Sequence, residues 1–278
     1  MTKIPMAEAI DKVVKWLQIN FGESIDAFSD SFGDLIKYLE SYLAFIPWWL
    51  LILLFALAAW RVSGWKLAVG TILGLAFIFN LQLWPAFLST LVLVFISALV
   101  SIVMGIPLGI IAGRNYRFHR IISPVLDFMQ TMPSFVYLIP ALLFLGIGTV
   151  PAVFATVIFA MPPAIRFTDL GIRQVPVDLV EVGEAFGSTP GQLLWKIQLP
   201  VALPTIMAGI NQTMMLSLSM VVIASMIGAG GLGAGVLEAI AQLKIGMGFE
   251  YGIAVVIIAI ILDRLTQGIG SSLRTGDK

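Results

Sequence analysis

With 59% hydrophobic residues, 12% charged residues and a mean hydropathy of +1.00, the 278-residue chain carries too little charge to be a soluble domain of that length. Its 16 basic residues balance 16 acidic ones without forming a basic stripe, so nothing points to a nucleic-acid partner. The absence of cysteine excludes a disulfide framework, a thiolate nucleophile and a Cys-bound metal.

No basic n-region, apolar core and small-residue cleavage site open the chain, so no removable signal peptide is expected. Residues 6–43 are polar enough to stay out of hydrocarbon. Ile10, Val13, Val14 and Leu17 recur at helical spacing, as do Ile25, Phe28, Phe32, Leu35, Leu39 and Tyr42, with Gly22 between the two runs. This predicts amphipathic helices lying on the membrane surface or docked on a partner subunit, and spacing leaves both open. Apolar stretches then predict about seven spans, at 46–60, 66–83, 86–112, 133–149, 150–165, 202–228 and 247–266. The expected fold is an all-α polytopic membrane protein with an N-terminal amphipathic segment.

The basic residues fix an orientation. Arg61 and Lys66 lie between the first two spans, and Arg114, Arg117 and Arg120 follow the third. Arg166, Arg173 and Lys196 fall between the fifth and sixth, and Arg264, Arg274 and Lys278 follow the seventh. With seven spans all four places share one side, which is then cytoplasmic. The N-terminus is expected outside and the C-terminus in the cytoplasm. The chain divides into an extracellular amphipathic segment 1–45, two accessory helices 46–83, a core 84–267 and a cytoplasmic tail 268–278.

Within the core, Gly105, Gly109 and Gly113 recur at four-residue spacing, which predicts close helix packing, and Pro107 between them predicts a kink. Residues 121–132 form an elbow, in which Asp127 is expected to act as a cap or as the partner of Arg120. Gly228-Ala229-Gly230-Gly231-Leu232-Gly233 satisfies the dinucleotide expression G-x-G-x-x-G but follows a membrane helix rather than a strand, so a re-entrant loop or gate is expected. No phosphate-loop motif occurs, so ATP hydrolysis by that route is excluded. His119 is the only histidine and lacks a second ligand nearby, so no metal site is expected. Asn211, Gln212, Thr213, Ser217 and Ser219 fall within one span, either lining a path or bonding helix to helix. No Asp or Glu stands at mid-span, which weighs against ion-coupled transport; Asp263 and Glu250 lie near the ends of the seventh span.

Between the fifth and sixth spans lies the polar-interrupted loop 176–200. Pro176 with Asp178 and Glu181 opens one short helix, which Gly187 ends in the left-handed conformation. Thr189 as N-cap, Pro190 at N1 and Gln192 at N3 open another through a capping box. Leu193, Leu194, Trp195 and Ile197 follow, and Leu199-Pro200 is expected to stop it. From physics alone, a connecting loop folded on its own bundle and a partner-binding device fit equally well.

This stretch, EVGEAFGSTPGQLLWKIQLP, resembles the EAA loop of binding-protein-dependent ABC importer permeases: Glu181, Gly187, Ile197 and Leu199-Pro200 match its anchors, and Val182-Gly183 replace its two alanines. Three further stretches, MQTMPSFVYLIPALLFLGIG (129–148), IFAMPPAIRFTDLGIRQVP (158–176) and INQTMMLSLSMVVIASMIGAGGLG (210–233), resemble the glycine betaine/proline betaine permeases within that family. The likeness spans roughly 84–267 and implies a type I importer fold in a bacterial inner or plasma membrane.

The resemblance implies a non-catalytic subunit whose loop 176–200 sits in a groove of a separate ATPase. Glu181, Gly187, Leu193, Leu194, Trp195, Ile197, Leu199 and Pro200 are its expected coupling residues. ATP and magnesium are expected on two copies of that ATPase, with no cofactor on this chain. A second permease chain, making a homodimer, and a separate extracellular substrate-binding protein complete the implied assembly. Other small solutes such as choline, carnitine or methionine remain alternatives. An ion-coupled secondary carrier, or a scaffold or channel without coupled transport, forms a different class that the loop pattern disfavours.

Overall fold

The apolar periodicities resolve into helices throughout residues 6–275, the part of the chain that the computed structural model describes. In order they are α1 (Met6–Phe45), α2 (Trp48–Ser63), α3 (Trp65–Asn80), α4 (Trp84–Arg114), α5 (Tyr116–Thr131) and α6 (Leu138–Leu145). They continue as α7 (Thr149–Arg173), α8 (Val177–Ala185), α9 (Pro190–Leu193), α10 (Leu199–Ala224), α11 (Gly231–Ala241) and α12 (Ile245–Thr275). The described residues include no strand.

Small residues set the spacing of the central helices. A methyl added at Gly105 would stand 2.7 Å from Ala164 Cβ, one at Gly109 2.5 Å from Thr168 Cβ, and one at Gly113 2.8 Å from Ile172 Cβ. The expected glycine stripe thus presses α4 onto α7, where backbones approach closely without relying on a hydrophobic drive. Pro107 lies inside the unbroken α4. On its other flank α7 meets α10: a methyl at Gly171 would stand 3.2 Å from Ala202 Cβ, and one at Gly209 2.6 Å from Phe167 Cβ.

The N-terminal segment departs from expectation. Gly22 does not divide the N-terminal segment, because α1 is one helix of 40 residues. An interior glycine costs only about 1 kcal/mol against alanine, too little to interrupt a helix with strong formers on both sides. Nor is the second half of α1 left for lipid or a partner alone. Ile36 is fully buried, and Ser89 Oγ on α4 donates to Glu40 Oε1 at 2.5 Å. The segment 268–278 begins as a continuation of α12 through Thr275, with 276–278 outside the described residues.

By length and composition, four helical stretches can cross a membrane alone: Trp84–Arg114, Thr149–Arg173, Pro190–Ile227 and Ile245–Gly270. Two bent pairs raise this to six, Ile19–Phe45 with Trp48–Ser63 at 97° and Tyr116–Thr131 with Ser134–Leu145 at 109°. The expected span 66–83 coincides with the short apolar α3, and 133–149 is a 3₁₀ turn plus the 8-residue α6. Pro133 and the left-handed Gly146 bound that segment, which explains why it does not extend.

The basic ends gather at one end of the bundle. Gly268 on α12 abuts Val62 at the end of α2, and Gly270 abuts Met207 near the start of α10. Gly113 at the end of α4 meets Ile172 at the end of α7. At the opposite end the glycine-rich turn folds α11 back between α10 and α12. Thr90 Oγ1 accepts the Leu232 N–H at 2.8 Å, and Gly148 N–H donates to the Ile227 carbonyl at 2.9 Å. The expected re-entrant element is therefore an ordered helix tied to α4.

Candidate functional site

The loop between α7 and α10 is a bracket built by local rules. The φ of +77° at Gly187 ends α8, its N–H donating to the Glu184 carbonyl at 2.8 Å while the Ser188 N–H reaches the Gly183 carbonyl at 3.0 Å. This paired closure satisfies carbonyls that the helix end would strand. The chain restarts through the expected capping box. Thr189 Oγ1 accepts the Gln192 N–H at 3.3 Å, and Gln192 Oε1 accepts the Thr189 N–H at 2.9 Å. Pro176 sits one residue earlier than expected, as the N-cap of α8.

Leu199-Pro200 does not stop the second helix, contrary to expectation. Residues Leu194–Gln198 form a π turn in which the Leu199 N–H donates to the Leu194 carbonyl, and α10 continues from Leu199. Pro200 lacks an N–H and its ring crowds the preceding turn. Widening the ladder by one residue just before it lets the helix run on.

The expected coupling residues divide by burial. Leu193 and Leu194 are 7% and 8% exposed, and Leu194 packs with Ile172, Ala202 and Ile206. Leu194 thus fastens the bracket to α7 and α10, and Leu193 packs against Gly183 of α8, so neither faces a partner. Ile197 and Leu199 are half-buried, and Glu181 and Pro200 are exposed. Trp195 is 70% exposed and Phe186, which sequence reading left out, 87% exposed. Val177, Leu179 and Val182 also face outward, so an apolar edge borders the exposed Glu181. Glu181 makes no ion pair among the described residues, and the guanidinium of Arg173 lies 6.0 Å from the Tyr116 ring centroid.

Around the adjoining elbow, the Asn115 side chain accepts the Arg117 and Phe118 N–H groups and starts α5. Asp127 pairs with Arg166 at 2.6 Å, not with Arg120, which lies over the Tyr116 ring. His119 Nδ1 lies 2.7 Å from Oδ2 of the buried Asp169. Asp169 is an acid near the end of α7 that sequence reading passed over. No group of His, Asp or Glu among the described residues has metal-site geometry.

The five polar residues of α10 do not form one wall. Asn211 and Gln212 line a cavity of about 460 Å³ between α7, α10 and α12, with Phe167, Met207, Thr266 and Gln267. Thr213 and Ser217 are buried in the bundle, while Ser219 is exposed outside this cavity. Asn211 Nδ2 donates to Asp263 Oδ1 at 3.1 Å across the α10–α12 seam.

A family model described as "Binding-protein-dependent transport system inner membrane component" matches residues 105–275, which contain both bracket and cavity. The chain belongs to this family. As a member it resembles the glycine betaine transport system permease protein OpuAB of Bacillus subtilis (strain 168), with 52% identity covering 97% of this chain and 95% of that protein. The glycine betaine/carnitine transport permease protein GbuB of Listeria monocytogenes is 49% identical over 98% of both chains. The glycine betaine/proline betaine permease protein ProW of Escherichia coli (strain K12) is 46% identical, covering 99% of this chain and 77% of that one. Among solved structures, the inward-facing MetNI methionine ABC transporter superposes with a TM-score of 0.63 at 21% identity, covering 70% of this chain and 97% of that chain. That likeness speaks to fold alone: an all-α, multi-pass architecture of the type I ABC importer permease kind.

Proposed function

We propose that this chain is the transmembrane permease subunit of an ATP-driven importer for glycine betaine or related quaternary-ammonium osmoprotectants. The observation that carries this reading is the bracket at 176–200, with its exposed apolar edge, in a family member 52% identical to a glycine betaine permease. The chain itself is non-catalytic. ATP and Mg²⁺ belong to two partner ATPase copies, and a second copy of this permease and an extracellular binding protein complete the machine. Residues 84–267 form the importer core, 46–83 accessory helices, and 1–45 lie outside; the gathering of basic ends on the bracket side supports this orientation.

In this mechanism the ATPase grips Phe186, Trp195 and Glu181. Leu194 is packed on both α7 and α10, so movement of the bracket is passed to both helices as one body. Closure of the ATPase dimer opens the path outward to the loaded receptor, and hydrolysis returns it inward. Pull-down of the candidate ATPase by the tagged, detergent-solubilised chain tests the interface. The ATPase is expected to co-elute with the unmodified chain and to be lost with Phe186→Asp plus Trp195→Asp. Co-elution unaffected by those changes, or none at all, overturns this assignment of the bracket.

A further inference from the structure

Asp263 lies inside the apolar segment Ile245–Gly270, and no basic side chain pairs with it among the described residues. Two amides hold it instead. Asn211 Nδ2 reaches its Oδ1 from α10 at 3.1 Å, and Gln267 Nε2 reaches the same oxygen at 2.7 Å from one turn along α12. Thr266 Oγ1 in turn donates to Asn211 Oδ1, so both polar ends of Asn211 are fixed. A carboxylate near the end of an apolar span, with no ion-pair partner, is costly to leave without hydrogen-bond partners, and such groups face internal cavities and find them there. The 460 Å³ cavity lies against this network, with Asn211, Thr266 and Gln267 on its polar wall and Phe167 and Met207 on its apolar one.

We propose that this cavity is a station on the translocation route, where Asp263 supplies the negative field met by the quaternary-ammonium end of the solute. The inference rests on the permease reading above. A quaternary ammonium has no N–H to donate, so it gains from a field and from apolar contact with its methyl groups. The cavity offers both: a fixed carboxylate behind an amide wall, and the side chains of Phe167 and Met207. Asp263 lies outside the lining, so it is a positioning and field-setting residue that acts through Asn211 and Gln267.

The cysteine-free chain allows a direct test. Gln212→Cys, in the assembled importer, is labelled with a trimethylammonium-bearing methanethiosulfonate and with its sulfonate counterpart, each rate normalised to that of a free thiol in solution. The cationic reagent is expected to react several-fold faster, glycine betaine to slow both, and Asp263→Asn to bring the ratio towards unity. Asp263→Glu is expected to keep the preference, which a loss of packing alone would not restore. Equal normalised rates, or a ratio indifferent to Asp263→Asn, overturn the field. Absence of labelling by either reagent removes the cavity from the aqueous route. These rates need no turnover, so failure of the unmodified complex to take up solute would count against the permease reading separately.

Discussion

Gly183 and Ile197 are packed so closely that a methyl added to Gly183 would stand 2.6 Å from Ile197 Cδ1 and 2.8 Å from Leu193 Cδ1. This contact closes the bracket by setting α8 directly on the π turn. It also accounts for glycine at a position where the family pattern carries alanine. The obstructing atoms are ends of flexible side chains, so Gly183→Ala is expected to cost about 1–2 kcal/mol. Ile197→Val removes the opposing methyl and should recover much of that loss. Thermal unfolding of the two single variants and the double variant checks this; strict additivity would contradict the contact.

Gly187→Asp places a β-carbon at φ +77°, at about 1–2 kcal/mol of backbone strain, and changes the angle between α8 and α9. Membrane insertion should survive, and solute moved per ATP hydrolysed should fall sharply. Gly187→Asn, which tolerates the left-handed region better, should fall between. Insertion is read from the membrane fraction and coupling from paired uptake and phosphate release. Failed insertion or full coupling would contradict the bracket's role.

Leu194→Ala and Trp195→Ala should separate cleanly although the residues are adjacent. Truncating the buried Leu194 is expected to destabilise the fold by about 2–5 kcal/mol. Trp195→Ala should leave unfolding within about 0.5 kcal/mol, as exposed substitutions do, while weakening ATPase capture. Thermal unfolding and pull-down, measured on both variants, would show the reverse pattern if the burial assignments failed.

Thr90→Val keeps shape but removes the acceptor for the Leu232 N–H, leaving a buried donor unpaired at about 1–3 kcal/mol. Amide exchange should then quicken at the start of α11 before it quickens in α4 or α7. Unchanged protection at Leu232 would contradict the tie.

Much of the bracket was legible because its determinants are local. Gly187 and the Thr189–Gln192 box are set within five residues of one another, and the Gly105–Gly109–Gly113 stripe by a fixed helical spacing. What escaped depends on partners distant in sequence. Asp127 meets Arg166, His119 meets Asp169 and Asn211 meets Asp263 across helix seams that no local pattern encodes. The burial of Leu193 and Leu194 depends on packing against α8, α7 and α10, so their apolar character alone did not separate them from the exposed Phe186 and Trp195. Glycine at position 22 misled because its cost was spread over a 40-residue helix whose second half is held by tertiary contacts.

Uptake of labelled glycine betaine into proteoliposomes that hold this chain, with and without its ATPase and its receptor, tests the assignment as an ATP-driven permease. Accumulation is expected only when ATP and all three proteins are present, and is expected to be lost with Gly187→Asp. Accumulation by the chain alone under an ion gradient would contradict that assignment and make the bracket incidental to transport.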